Sequence, residues 1–170
     1  MSDESILDAA AGLFAEHGVN AVGMGEIARA AGCSRATLYR YFADRRALHV
    51  AFVHREARRI GRLVADETTP MDDPAERLTL AVLAAVRHVR EAPALLAWFG
   101  AADAALTADL AQSAAVIDGL GLTVDGDDAT ARWLVRVIVS LLIVPGRDGA
   151  DERRTVERYV VPALVGGARR

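Results

Sequence analysis

The sequence predicts an all-α protein: a three-helix head carrying a helix-turn-helix, followed by a larger helical C-terminal unit. Three observations carry this reading. Apolar residues recur at three- and four-residue spacing in each periodic stretch, which marks helices with one buried face. Residues that start helices (Ser2, Ser34, Asp44) and residues that stop them (Gly18, Gly32, Pro93, Pro145) bracket those stretches. Between Gly23 and Leu48 two short helical segments flank a glycine-containing turn, the layout of a helix-turn-helix.

Length and composition agree with that layout. A chain of 170 residues has room for a small head and one larger core, and 52% apolar content excludes a disordered protein. The expected division is residues 1–46 for the head and 47–170 for the second unit.

Ser2 is placed to cap the first helix, with Asp3 and Glu4 favourable against its dipole. Ile6, Leu7, Ala10, Leu13, Phe14 and His17 then keep helical spacing until Gly18. His17 reads as a favourable charge at the helix end. In the next helix Met24, Ile27, Ala28 and Ala31 share one face, and Gly32 supplies the left-handed turn that ends it. Small Ala28 lets the two helices of the motif approach closely. Ser34 caps the following helix, Arg35 to Tyr41, whose Leu38 and Phe42 point back toward its neighbour. Its outward positions are Arg35, Ala36, Tyr39 and Arg40, a cationic and aromatic set suited to base edges and phosphates.

Asp44 caps a long helix running from about Arg45 to Asp66, with Leu48, Phe52, Ile60, Leu63 and Val64 as its main apolar positions. Such a rod joins the two units as a lever. The stretch from Thr68 to Pro74, with two prolines and two acids, is a loop. Ala75 to Glu91 carries the stripe Leu78, Val82, Ala85, Val86 and Val89. Pro93 opens a short helix, Ala94 to Gly100, that contains Trp98 and Phe99. Asp103 to Leu120 is alanine-rich with weak periodicity, and Gly119, Gly121 and Gly126 loosen the chain at its end.

Trp133 to Val144 is the most apolar run, with Asp127 or Asp128 as cap and Pro145-Gly146 as stop. A membrane span needs about 20 predominantly apolar residues, and this run is shorter and contains Arg136, so it reads as a buried soluble helix. A last helix, Glu152 to Val165, offers Val156, Tyr159, Val160 and Leu164, with Pro162 interrupting it. A helix apolar on most sides must be covered on most sides. These last two helices are therefore expected to form a homodimer interface of four helices, two from each subunit. Arg132, Arg136 and Ser140 form one line. If the line lies at the interface Arg136 needs an acidic partner, and otherwise it is the solvent edge; the sequence leaves both open.

Charge is segregated. The net charge is −3, yet residues 34–62 carry +6, against −4 before them and −5 after them. Every cation other than histidine is arginine, whose planar fork suits guanine edges and phosphates. A solvated charged face is an adequate reading of Arg55 to Arg62, and a weaker one of Arg35 and Arg40. A non-specific architectural DNA binder would spread its excess positive charge over the surface, so this confinement argues against one.

The motif residues resemble the DNA-binding domain of the TetR family of transcriptional regulators. They are Ile27-Ala28, Ala31-Gly32, Ser34-Arg35, Thr37-Leu38-Tyr39, Tyr41-Phe42 and Arg45, with Leu48 after them. The match covers about the first fifty residues; beyond them only the helical layout agrees. The resemblance implies base reading by Arg35, Ala36, Tyr39 and Arg40, phosphate anchoring by Thr37, Tyr41 and Arg45, and a contact set that includes Ser34. It also implies a dimer, a C-terminal domain that binds a small molecule, and coupling of that domain to the heads through the fourth helix. Most relatives repress and are released by ligand. Gly23 and Gly25 depart from the family pattern, which often has a Thr and a basic residue there.

A short reading helix cannot select one genomic site alone, whereas a two-fold dimer reads two half-sites, so the expected partner is double-stranded DNA bearing an inverted repeat. A small apolar ligand would sit between the helices after Pro74, with His88, Trp98 and Phe99 as candidate contacts. Enzymatic chemistry is not indicated: there are four scattered histidines, one cysteine, and no glycine-rich phosphate loop after a strand. His49 and His54 are poorly spaced to share a metal, and no cofactor is expected. Cys33, alone, reads as a small residue in the turn. Met1-Ser2-Asp3-Glu4 lacks a basic-then-apolar leader, so a cytoplasmic protein is expected.

Overall fold

The computed structural model describes residues 2–99, 117 and 128–165. Within them the chain is helical, with no strand. The head comprises α1 (Asp3–His17), α2 (Met24–Ala30) and α3 (Arg35–Tyr41). The long α4 (Arg45–Thr68) leads to α5 (Pro74–Arg90) and the short α6 (Pro93–Leu96), which tightens into a 3-10 turn at Ala97–Phe99. α7 (Asp128–Ile143), α8 (Gly149–Thr155), a wide π-type turn (Val156–Val160) and α9 (Val161–Val165) complete it. The alanine-rich stretch, the loosening glycines and Asp127 lie outside the described residues, except that Ile117 is buried.

The caps at Ser2 and Asp44 fall where the sequence puts them, and the structure adds one at Asp73. The Ser2 and Ser5 hydroxyls each accept the other's backbone N–H at 3.2 Å, closing a reciprocal box at the start of α1. Asp44 accepts the Ala47 N–H at 2.7 Å, and Asp73 accepts from Ala75 and Glu76 ahead of a first-turn proline. The last helix begins earlier than expected, at Gly149, because Asp148 caps it through the Asp151 N–H at 2.7 Å. Pro162 does interrupt it. Proline has no N–H and its ring crowds the carbonyl four residues back, here that of Arg158. The chain relieves that crowding by widening the preceding turn, where the Val161 N–H reaches the Val156 carbonyl.

α4 runs unbroken for 24 residues, about 36 Å at 1.5 Å per residue, so residues 46 and 47 lie in its first turn. Leu48, Phe52, Val53, Ala57, Ile60 and Val64 bury one side along its length, and Leu63 is half-buried. Arg55 is not solvated as the sequence reading allowed. It crosses to α1, donating to Glu4 Oε2 at 3.2 Å and Asp8 Oδ1 at 2.7 Å, and it also bonds buried Glu56. Arg58 and Arg62 do stay exposed.

The second tie between head and body is aromatic. α6 packs on α1, and Trp98, 1% exposed, stacks on Phe52 at 5.9 Å while meeting Phe14 and His49 edge-on at 5.9 and 4.9 Å. A third tie is polar and holds the body together. Arg90 of α5 grips buried Glu152 of α8 through both carboxylate oxygens, at 2.9 and 2.7 Å, and also donates to the Leu141 carbonyl of α7. Arg90 hydrogen bonding and the Gly146 N–H hold the Glu152 carboxyl below the usual carboxylate range against the opposing cost of burial.

One face of α7 is buried, through Ala131, Leu134, Val135, Ile138, Leu141 and Leu142. Trp133, Ile143 and Val144 are exposed, as are Tyr159 and Val165 in the segments after α8. Arg136 and Ser140 lie on the exposed side. Among the described residues no helix is long and apolar enough to cross a membrane.

Candidate nucleic-acid interface

The turn of the motif is built as its glycine requires. Gly32 has φ 68°, and Cys33 N–H reaches the Ala28 carbonyl at 2.9 Å while Gly32 N–H reaches Arg29 at 3.1 Å. This six-to-one plus five-to-two pair of bonds satisfies the carbonyls left open at the end of α2. Ser34 then restarts the chain, its hydroxyl accepting the Thr37 N–H at 3.1 Å and bonding the Thr37 hydroxyl at 3.0 Å. Behind the motif, Ile27, Ala28, Leu38 and Phe42 join Val19, Val22 and the buried face of α1 in one core.

That packing decides what α3 presents. With Leu38 fully buried, Arg35, Ala36, Tyr39 and Arg40 are exposed together, and Tyr39 keeps 49% of its surface. Thr37 is half-buried and Tyr41 is 38% exposed. Arg35 and Arg40 form no ion pair among the described residues, in contrast to Arg55 and Arg59, which acids hold. An uncommitted guanidinium beside a helix face is free to neutralise a phosphate or pair with a base.

Arg45, expected at a phosphate, also ties the head together. Its Nη2 donates to the Val19 carbonyl at 2.7 Å and the Asn20 carbonyl at 3.0 Å. The reason is geometric: the α1–α2 turn lies against the start of α4, and its carbonyls need a donor. Gly23 and Gly25 also acquire an account. The Gly23 N–H donates to Glu26 at 2.8 Å, so α2 is capped from within by Glu26 and a side chain at position 23 is not required. Gly25 lies beneath the Arg35 guanidinium. A Cβ there would overlap Arg35 Nη2 and come within 2.8 Å of Nε.

A separate apolar cavity of about 50 Å³ lies in the body. Val53, Ala57 and Ile60 of α4, Val89 of α5, Leu95 and Phe99, and four residues of α7 line it without a polar group. Of the three residues expected there, only Phe99 lines it. Trp98 points the other way, into the aromatic seam with the head. His88 binds Glu67 at 2.7 Å and, with Arg87, ties the end of α4 to α5, which holds the Glu67 carboxyl below its ordinary value. The other lining residues carried no signal in the sequence, because a position facing a cavity looks like any core position of an amphipathic helix. Among the described residues no cluster of His, Cys, Asp or Glu could hold a metal.

A helix-turn-helix head with arginines and a tyrosine exposed on α3, carried on a helical body, is the layout of a DNA-binding regulator. The family described as bacterial regulatory proteins, tetR family, matches residues 6–52. HTH-type transcriptional regulators from two strains of Mycobacterium tuberculosis (CDC 1551 / Oshkosh and ATCC 25618 / H37Rv) are each 45% identical over 97% of this chain and 86% of theirs. The fold is similar to that of the TetR family repressor AlkX from a Dietzia strain, implicated in biodegradation of n-alkanes, with TM-score 0.71, 20% identity, and coverage of 98% and 96% of the two chains. It is also similar to RolR in complex with resorcinol, with TM-score 0.62, 24% identity, and coverage of 96% and 85%. The chain belongs to the TetR family of DNA-binding transcriptional regulators.

Proposed function

We propose that this regulator acts as a dimeric repressor on an inverted-repeat operator and leaves it when a small apolar ligand binds. The observation that carries the reading is the reading face itself: burial of Leu38 turns Arg35, Ala36, Tyr39 and Arg40 outward together on one short helix. Ser34, Thr37 and Tyr41 border that face and complete the contact set. Arg45 holds the turn at Val19 and Asn20 through Nη2, which sets the head's shape, and belongs with Thr37 and Tyr41 to the phosphate-anchoring part of that set.

Exposed apolar side chains support the dimer. Trp133 of α7 is 36% exposed, Val144 just after it 70%, and Tyr159 in the turn between α8 and α9 64%. Covering such a patch with a second copy removes apolar surface from water and sets two heads at a fixed separation. The wholly apolar cavity beside α4 supports a ligand of hydrocarbon character, and its wall is the same helix that starts at the head. A ligand favouring the DNA-incompetent spacing by about 2.8 kcal/mol would weaken operator binding roughly a hundredfold at saturation. The division into residues 1–46 and 47–170 is functional in this reading: one part reads DNA, the other pairs and senses.

Selection of genomic fragments on the purified protein, followed by binding anisotropy on the best fragment and on random DNA, tests the proposal. An inverted repeat bound far more tightly than random sequence, with the preference relaxed by Arg40→Ala, is the expected result. Recovery of unrelated fragments with only a steep salt dependence would overturn it.

A further inference from the structure

We infer that Gly25 is a seat for Arg35, and that this seat makes Arg35 a clamp on the DNA backbone while base reading falls to Ala36, Tyr39 and Arg40. The inference rests on the DNA-binding reading above and assigns roles within that contact set.

The side chain of Arg35 leaves the first turn of α3 but lies across the first turn of α2. A Cβ on residue 25 would overlap its Nη2 and stand within 2.8 and 2.9 Å of its Nε and Cζ, so only glycine leaves the guanidinium this position. The neighbouring groups do not compete for the place. Glu26 is turned to the Gly23 N–H at 2.8 Å, and Gly23 has no side chain. In a helix-turn-helix the second helix enters the major groove and the first crosses the phosphate backbone. A guanidinium resting on the first helix therefore faces phosphates, although its own residue belongs to the reading helix. Arg40, one turn and more along α3 and away from this seat, stays on the exposed side with Tyr39.

The two roles differ in what they do to binding. A phosphate contact strengthens binding to every sequence and adds to the salt slope, whereas a base contact acts at one base pair. A glycine seat adds a genetic signature: filling it should act only through Arg35.

The test uses the full-length protein on its selected fragment and on a scrambled duplex, by anisotropy across a salt series, with Arg35→Ala, Gly25→Leu and the double variant. Arg35→Ala is expected to weaken both duplexes by the same factor, about tenfold per subunit, and to lower the salt slope by about 0.9 per subunit. Gly25→Leu should reproduce that loss, and should add nothing once Arg35 is alanine. Gly25→Ala is run in parallel, so a leucine variant that fails to fold leaves the test intact; its melting temperature should not fall, since alanine favours a helix over glycine. Loss confined to the selected fragment with relaxed preference at one base pair would make Arg35 a base reader and overturn the inference, leaving the regulator reading untouched. Additive effects of positions 25 and 35, or wild-type binding by a folded Gly25→Leu or Gly25→Ala variant, would overturn the seat. Failure of the wild-type protein to prefer any fragment would instead overturn the underlying DNA-binding reading, and the inference with it.

Discussion

Removing the indole of Trp98 tests whether the head and body are one cooperative unit. This side chain is 1% exposed and touches three aromatic rings, from α1 and α4, at 4.9 to 5.9 Å. Replacing a buried tryptophan with alanine costs about 3–5 kcal/mol, because transfer energy is lost and the neighbours only partly collapse into the space. Each lost ring pair accounts for about 0.5–1.5 kcal/mol of that. For a chain of this size about 4 kcal/mol corresponds to a fall in Tm of about 8–16 °C. Urea unfolding followed by far-ultraviolet circular dichroism, at fixed protein concentration, measures it. The midpoint should fall for Trp98→Ala with the slope unchanged, and a Phe52→Leu/Trp98→Leu double-mutant cycle should show coupling of about 0.5–1.5 kcal/mol. A Trp98→Ala loss below about 1 kcal/mol would refute the reasoning, since that is the range for a side chain in solvent or beside a loose contact. A second transition, with the head melting separately, would refute the single-unit reading even if the total loss were large.

Other expectations rest on single contacts. Glu152→Gln should cost about 2–3 kcal/mol by urea unfolding, below the figure for a fully buried pair because the Arg90 side chain is 35% exposed. The folded-state pKa of Glu152 is depressed, so its stabilisation is full above the unfolded value of about 4.3 and is lost as pH falls through the folded value; melting curves between about pH 5 and pH 3 should drop more steeply for wild type than for Glu152→Gln. Gly32→Ala should cost about 1–2 kcal/mol by circular dichroism, through backbone strain alone, because φ is 68° and no atom lies within 4 Å of the added carbon. Arg45→Ala should speed amide hydrogen exchange across residues 18–23 with a loss of about 1–3 kcal/mol, as the donor to Val19 and Asn20 disappears. Unchanged exchange there would mean the turn is held by its own apolar residues.

The features legible in the sequence were local ones. Caps at Ser2, Ser34 and Asp44, the left-handed glycine at position 32, and the outward set on α3 depend on neighbours within about one helical turn, so residue type and spacing fix them. The family match over residues 6–52 reflects the same local constraints. The features left open involve partners far along the chain. Arg45 meets carbonyls 25 and 26 residues away, Arg90 meets Glu152 across 62 residues, and Arg55 meets Glu4 and Asp8 across 51 and 47. An arginine bound for a phosphate and one bound for a distant carboxylate have the same local surroundings.

The apolar positions show the same divide. Periodicity is enough to place Phe52 and Val89 inside. That Trp98 faces the head while Phe99 beside it faces the cavity needed the assembled helices, because successive side chains of the 3-10 turn project about 120° apart and only packing decides what each meets. Residue order alone thus establishes that this chain carries the helix-turn-helix of the TetR family and which face of α3 turns outward. Packing between distant segments decides which of the chain's arginines are held by carbonyls or carboxylates, since those partners reach a cation only through folding.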